Sequence, residues 1–193
     1  MSSTAIRRAA PANPVNASVA TAQIFALASA PTIPVTVAIP GAGALDGRRF
    51  MVRAEGNVYI STAAYTAKVG LYAALTIPAT PFTPGNWTLL GAGTARAAAA
   101  PGYFPWWIEA ELMYDSAGGL MQGTFSQMVN NLFDARAAIA NQLTGINGTN
   151  VTVTQGSTPV PPANPVAVIA AAITFGTANA ANVGNLVNFE VSF

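Results

Sequence analysis

Few residues in this chain can do chemistry, and they gather in Pro105 to Phe125, PWWIEAELMYDSAGGLMQGTF. Glu109 and Glu111 form its one close acidic pair. On a strand, a spacing of two puts both carboxylates on one face, compatible with the roughly 5–9.5 Å separation that glycoside hydrolysis uses. No second catalytic element accompanies them. A solvated or interfacial strand face, with Arg53 or Arg96 opposite, accounts for the same pair. Trp106, Trp107 and Trp87 have the flat faces on which sugars or bases stack. Alternation sends Trp106 and Trp107 to opposite sides of a strand, so one belongs in a core and the other faces outward.

Other constellations have simpler readings. Asp115 with Ser116, and Asp134 with Asn130 and Asn131, contain cation-binding residue types. No DxDxDG loop surrounds them, and turn or capping chemistry uses the same side chains. GAGAL (Gly41 to Leu45) and GAGTAR (Gly91 to Arg96) lack the spacing of a phosphate-binding glycine loop. The chain has no His and no Cys. The commonest general base, the usual zinc ligand, the thiolate nucleophile and any disulfide framework are therefore missing together. The expectation is a non-enzymatic protein without cofactor or metal.

The elements that position these residues read as strands. In Phe50 to Gly56, FMVRAEG, apolar Phe50, Val52 and Ala54 alternate with Met51, Arg53 and Glu55; NVYIST (Asn57 to Thr62) and VGLYAAL (Val69 to Leu75) follow as further strands. Trp106 to Tyr114 alternates in the same way, Asp115 to Gly119 forms a turn, and Leu120 to Phe125 returns as a hairpin arm. From Ser126 to Thr144, Met128, Leu132, Ala135, Ile139 and Leu143 recur at helical spacing, yet a hairpin arm running on as a strand toward Asn131 fits as well; both readings stay open. Asn147-Gly148 signals a turn before the alternating VTVT of Val151 to Thr154. Val166 to Phe175 is apolar at both alternating sets, as in a central strand covered on two sides. Gly176 to Asn185 reads as a connection, and Val187, Phe189, Val191 and Phe193 define one face of a last strand. Proline-rich stretches at Pro78 to Gly85 and Gln155 to Pro165 read as surface loops.

Two packed antiparallel sheets follow: an all-β sandwich or jelly-roll-like single domain over residues 46–193, with at most one or two short helices. Residues 1–45 read as an extended N-terminal arm, rich in Pro, Ala and Asn, with Ala17 to Ala30 long enough for a short helix. That segment is too short to span a membrane and carries Ser18, Thr21 and Gln23. Pro11, Asn13, Pro14 and Asn16 fit a secretory signal badly.

Composition points toward assembly. Of the 193 residues, 52% are hydrophobic and only 8% charged, with a net charge of +1. Soluble domains usually carry about 25% charge. So few charges leave a surface weakly guarded against association. No basic stripe or aromatic-basic platform suggests a nucleic-acid partner.

The C-terminal half also resembles a known group. FPWWIEAELMYDSAGGLMQGTF, the Asn130-Asn131 region, TGIN (Thr144 to Asn147) and AAITFGTANAANVGNLVNFEVSF resemble the β-sandwich virion proteins of tailed bacteriophages, over roughly residues 100–193. Those most alike are capsid cement or decoration proteins; related sandwiches serve in tails, knobs and fibre tips. The resemblance implies a structural protein on the capsid exterior, assembled in the host cytoplasm. It also implies binding to a major capsid protein and to further copies of itself, as homotrimer or homodimer, without nucleic acid or membrane. The partner contacts expected on that basis are Arg7, Arg8, Ile24 and Phe25 on the arm, and Trp107, Glu109 and Glu111 on the Trp strand. The alternative function is a tail-tip or fibre module binding host glycans through Trp87 or Trp107.

Overall fold

Strands dominate because apolar residues alternate with polar or small ones, letting each strand bury one side-chain set and expose the other. The computed structural model describes residues 6–8, 12, 14–17, 22–39, 48–115, 120–142 and 167–193. Its strands are β1 (Ile6–Arg8), β2 (Val15–Ala17), β3 (Gln23–Ile24), β4 (Ala26–Leu27), β5 (Ala30–Pro34), β6 (Val37–Ile39), β7 (Arg49–Ile60) and β8 (Thr66–Ala74). There follow β9 (Thr88–Ala92), β10 (Arg96–Ala97), β11 (Gly102–Asp115), β12 (Leu120–Val129), β13 (Leu132–Gln142), β14 (Ala167–Phe175) and β15 (Asn179–Ser192). Among the described residues the only helical segment is a single 3-10 turn, Pro84–Asn86.

The strands form two antiparallel sheets. A seven-stranded sheet runs β1-β15-β7-β11-β12-β13, with β2 also on β15. A six-stranded sheet runs β10-β8-β14-β3, with β6 on β14 and β9 on β8. The short hairpin of β4 and β5 stands apart from both.

Between the sheets lies the main core. The large sheet contributes Val52, Trp106, Ile108, Leu112, Phe125 and Phe189, and the smaller one Val69, Leu71, Ile169, Ile173 and Phe175. Trp106 is the inward tryptophan, stacked on Phe25 with ring centroids 6.0 Å apart. β14 is covered on both sides, as its uninterrupted apolar run requires. Its second face, Val168, Ala170 and Ala172, packs with Ile24, Tyr72 and Trp87. The Trp87 indole N–H donates to the Pro81 carbonyl at 2.8 Å, which fastens the proline-rich loop over this second core.

Several boundaries differ from expectation, each for a physical reason. The described part of residues 1–45 does not lie free of the sandwich: β1 and β2 pair with β15, and β3 and β6 pair with β14. Of Ala17 to Ala30, expected to be long enough for a short helix, the described residues 22–30 contain β3 and β4, with Ile24 and Phe25 packed in the two different cores; residues 18–21 lie outside the described residues. FMVRAEG and NVYI are one continuous strand, β7. Gly176 to Asn185 is mostly strand, since β15 begins at Asn179. On β15 the register shifts between Leu186 and Asn188, so Leu186 points inward and Val187 outward, 70% exposed. Over residues 126–142 the open segment resolves as strand: β12 ends at Val129 and β13 begins at Leu132, with Asn130 and Asn131 at φ 55° and 57° between them, while Leu143 and Thr144 lie outside the described residues. Positive φ at both central residues is the hairpin geometry that matches strand twist, and Asn tolerates it. The Ser116 to Gly119 part of the first turn, the TGIN and VTVT segments and the Gln155 to Pro165 loop lie outside the described residues.

One close approach decides whether the core can form. Gly56 pairs with Trp106 on one side and Leu186 on the other. A Cβ at this position would sit 1.8 Å from the Asn185 carbonyl oxygen and 2.8 Å from the Trp106 ring. Gly56→Ala must therefore shift backbone as well as the indole, and should cost about 2–3 kcal/mol or more. Urea denaturation measures it, and an unchanged midpoint with an unchanged slope would show that the contact relaxes freely.

Candidate functional site

The strands β15, β7, β11 and β12 lie side by side, and their outward side chains form rows across the large sheet. One row is Glu190, Arg53 and Glu109; the next is Asn188, Glu55, Trp107 and Met128. The expected grouping of Trp107, Glu109 and Glu111 on one face is therefore present, opposite to buried Trp106. Arg53 donates to Glu109 at 3.3 Å, as foreseen, and Arg49 donates to Glu111 at 2.6 Å. Exposed pairs like these contribute about 0–1 kcal/mol each and chiefly fix side-chain direction. Between the rows, Arg53, Glu55, Trp107, Glu109, Asn188 and Glu190 line an open depression of about 270 Å³.

Farther along the same face the surface turns aromatic. Tyr59 and Tyr103 are cross-strand partners with ring centroids 4.9 Å apart, and Tyr103 is 71% exposed. Asn185 donates its side-chain amide to Asn57 at 2.7 Å beside them. Val187, expelled by the β15 shift, adds exposed apolar surface nearby. Apolar and aromatic side chains exposed on one sheet face are what interaction surfaces carry.

Other predicted contact residues fall elsewhere. Ile24 and Phe25 are buried inside this chain, Ile24 in the second core and Phe25 under Trp106, so neither presents a side chain to a partner. Trp87 is 4% exposed and cannot serve as a stacking platform. Arg7 and Arg8 lie on β1, their backbones in register with Val191 and Glu190 at the margin of the large sheet. Missed in the sequence were Tyr59, Tyr103 and Val187. Running β7 on as one strand would have put Tyr59 in the same outward set as Arg53 and Glu55. No sequence signal marks the shift that exposes Val187.

Asp134 and Arg96 belong to a different arrangement. Fully buried Gln127 on β12 accepts from the Val69 N–H at 3.3 Å, and its amide donates to the Thr94 carbonyl at 3.3 Å and to Asp134 Oδ2 at 2.6 Å. Asp134 Oδ2 also accepts from the Thr94 N–H at 2.6 Å, and Oδ1 accepts from Arg96. Arg96 is thus paired with Asp134, not with the Glu109 and Glu111 face. The cluster straps β12 and β13 of one sheet to β8 and β10 of the other. Among the described residues no group of three or more His, Cys, Asp or Glu side chains is arranged to hold a metal ion.

Burial raises the Asp134 pKa, but the Thr94 N–H, the Gln127 amide and the Arg96 charge outweigh it and hold the carboxyl below its ordinary 3.8. A carboxylate lowered on folding stabilises the protein above its unfolded value, and that stability is lost as pH falls through the folded value. Asp134→Asn should therefore lower stability at neutral pH, with a gap from the parent that shrinks as pH drops below 3.8. Urea denaturation across that range measures the gap, and a gap constant down to about pH 2 would show that charge plays no part in the strap. No protein-family model and no curated protein matches the chain.

Proposed function

We propose that the protein is a structural virion subunit of capsid cement type, which docks on a lattice of major capsid protein and stabilises the head from outside. The observation that carries this reading is the outer face of the large sheet, where exposed Tyr103 and Val187 and half-buried Trp107 lie with oriented ion pairs. An open sheet face suits contact with a protein surface better than enclosure of a small substrate. Its fold class agrees with the phage-sandwich resemblance, and its low charge suits a subunit whose neighbours cover much of it. Many modest contacts on one lattice add up to high avidity, particularly if copies associate as dimers or trimers.

The expected arm contributes differently from what its composition suggested. Deleting residues 1–30 would remove Phe25 from beneath Trp106 and strip β3 from β14, so it would test stability before it tested docking.

A second reading, a fibre or tail-tip module that binds host glycans, draws on the depression beside Trp107, where an indole meets Arg, Glu and Asn side chains. Trp87 drops out of it because its ring is buried.

The test of the cement reading is occupancy on expanded empty heads of the phage that encodes the chain. Tyr103→Lys with Val187→Lys changes two exposed positions and should leave the fold intact. Occupancy should fall at least about tenfold, as the loss of one well-packed contact predicts. Full occupancy by that variant would remove the large sheet's outer face from the docking surface; no binding by the parent protein would end the cement reading.

A further inference from the structure

We propose that two copies of this chain join edge to edge, residues 137–142 of β13 in one copy pairing antiparallel with the same segment of a second copy to make one continuous sheet. The inference concerns contact between copies and stands apart from docking on a capsid.

Nearly all the described sheet margins are short. β1, β2 and β6 have three residues each, β3 and β10 have two, and β9 has five with a register shift inside its pairing. Short or irregular margins are one way that sheets avoid pairing with other chains. β13 is the exception, with 11 residues and β12 alone beside it among the described strands. Its first part is blunted. Asp134 is tied into the strap with Thr94, Gln127 and Arg96, and Ala135 with Arg136 opposes the single residue Ser126, a bulge that bends the strand and holds a charged residue. From Ala137 onward neither device continues. Residues 137–142, AAIANQ, have no charge and no proline, and they pair with Phe125 to Leu120 in unbroken register. Ala137 and Ala138 are neighbours on the strand and so belong to opposite faces, and both are exposed.

A sheet edge is completed by another strand that offers its own row of backbone N–H and C=O groups. No other described margin of this chain is long and regular enough to answer this one, so between identical chains the match is β13 with β13. A two-fold axis perpendicular to the sheet runs the two strands antiparallel, as every other pair in the sheet runs, and closes the assembly at two copies. Because residues 137–142 carry no charge, no like charges are opposed across that axis, which would weaken the pairing. A contact of this length lies at the small end of specific interfaces, so the dimer should form with a Kd on the order of 10–100 μM.

The test needs no phage particle. Sedimentation of the full chain from about 1 to 500 μM should show a reversible monomer–dimer equilibrium and nothing larger. Ala137→Lys with Ala138→Lys puts charge on both faces of the edge at exposed positions. That variant should dimerise at least about tenfold more weakly, with an unchanged urea midpoint. The chain has no Cys, so single cysteines placed in turn at positions 137 to 142 read the geometry independently, and they decide the matter if the lysine variant unfolds. A short bifunctional thiol reagent should join copies at one or two neighbouring positions, those nearest the axis, and not at Ala180→Cys, an exposed position on β15. A monomer throughout the range, a trimer or larger species, a dimer that the lysine pair leaves unchanged, or crosslinking no stronger at 137–142 than at 180 would each overturn the inference. Head occupancy separates the two levels: a monomer that occupies heads overturns this inference alone, and a dimer that binds no heads overturns the cement reading alone.

Discussion

Placing the Trp106 indole between the two sheets is the constraint on which the rest of this structure depends. The ring stacks on Phe25 from the N-terminal part of the chain and passes close over Gly56 of β7. Gly56 is flanked by β15, whose carbonyl at Asn185 fills the space that a methyl group would need. Four separate stretches of chain therefore meet at one side chain. Interiors pack at crystal-like density, so each of those stretches is held to a narrow range of positions. Once Trp106 is inside, Trp107 must be outside, and the Glu109 and Glu111 carboxylates follow it onto the outer face.

The two sheets are unequal in what they leave exposed. The middle of the smaller sheet, β8 and β14, is covered on both faces, by the main core on one side and by Ile24, Trp87 and the proline-rich loop on the other. The large sheet is hidden on one face only. Its other face holds the ion pairs, the tyrosine pair and Trp107. The Gln127, Asp134 and Arg96 strap secures the sheets to each other near the β12–β13 turn, where hydrophobic packing alone would let them slide.

Much of this was legible in the residues. Strand alternation located β11, β12 and the core side of Trp106, and the two-sided apolar run of β14 announced a covered central strand. What could not be read has definite causes. The Asn130-Asn131 turn lacks the glycine of the strongest hairpin signal, and small residues after it mimic a helical face; tertiary pairing decided for strand. Val187 fits the alternation of its neighbours until a one-residue shift turns it outward. Pro, Ala and Asn near the N-terminus resemble a tail, but a few large side chains among them, Ile24 and Phe25 above all, find cavities that distant strands create. Gln127 looks like any polar strand residue, and only its proximity to Val69, Thr94 and Asp134 makes it a strap.

The position of β15 has a consequence in time. It lies between β7 and the strands β1 and β2, although all three precede it by more than a hundred residues. While the ribosome is still making the middle of the chain, β7 can pair with β11 along one edge, but its other edge stays open. β14 is similarly late and similarly central in the second sheet. Neither sheet can be completed before both strands emerge, and long-range pairings of this kind fold slowly and expose apolar edges meanwhile. A chain ordered this way leaves both sheets open until β14 and β15 have been made.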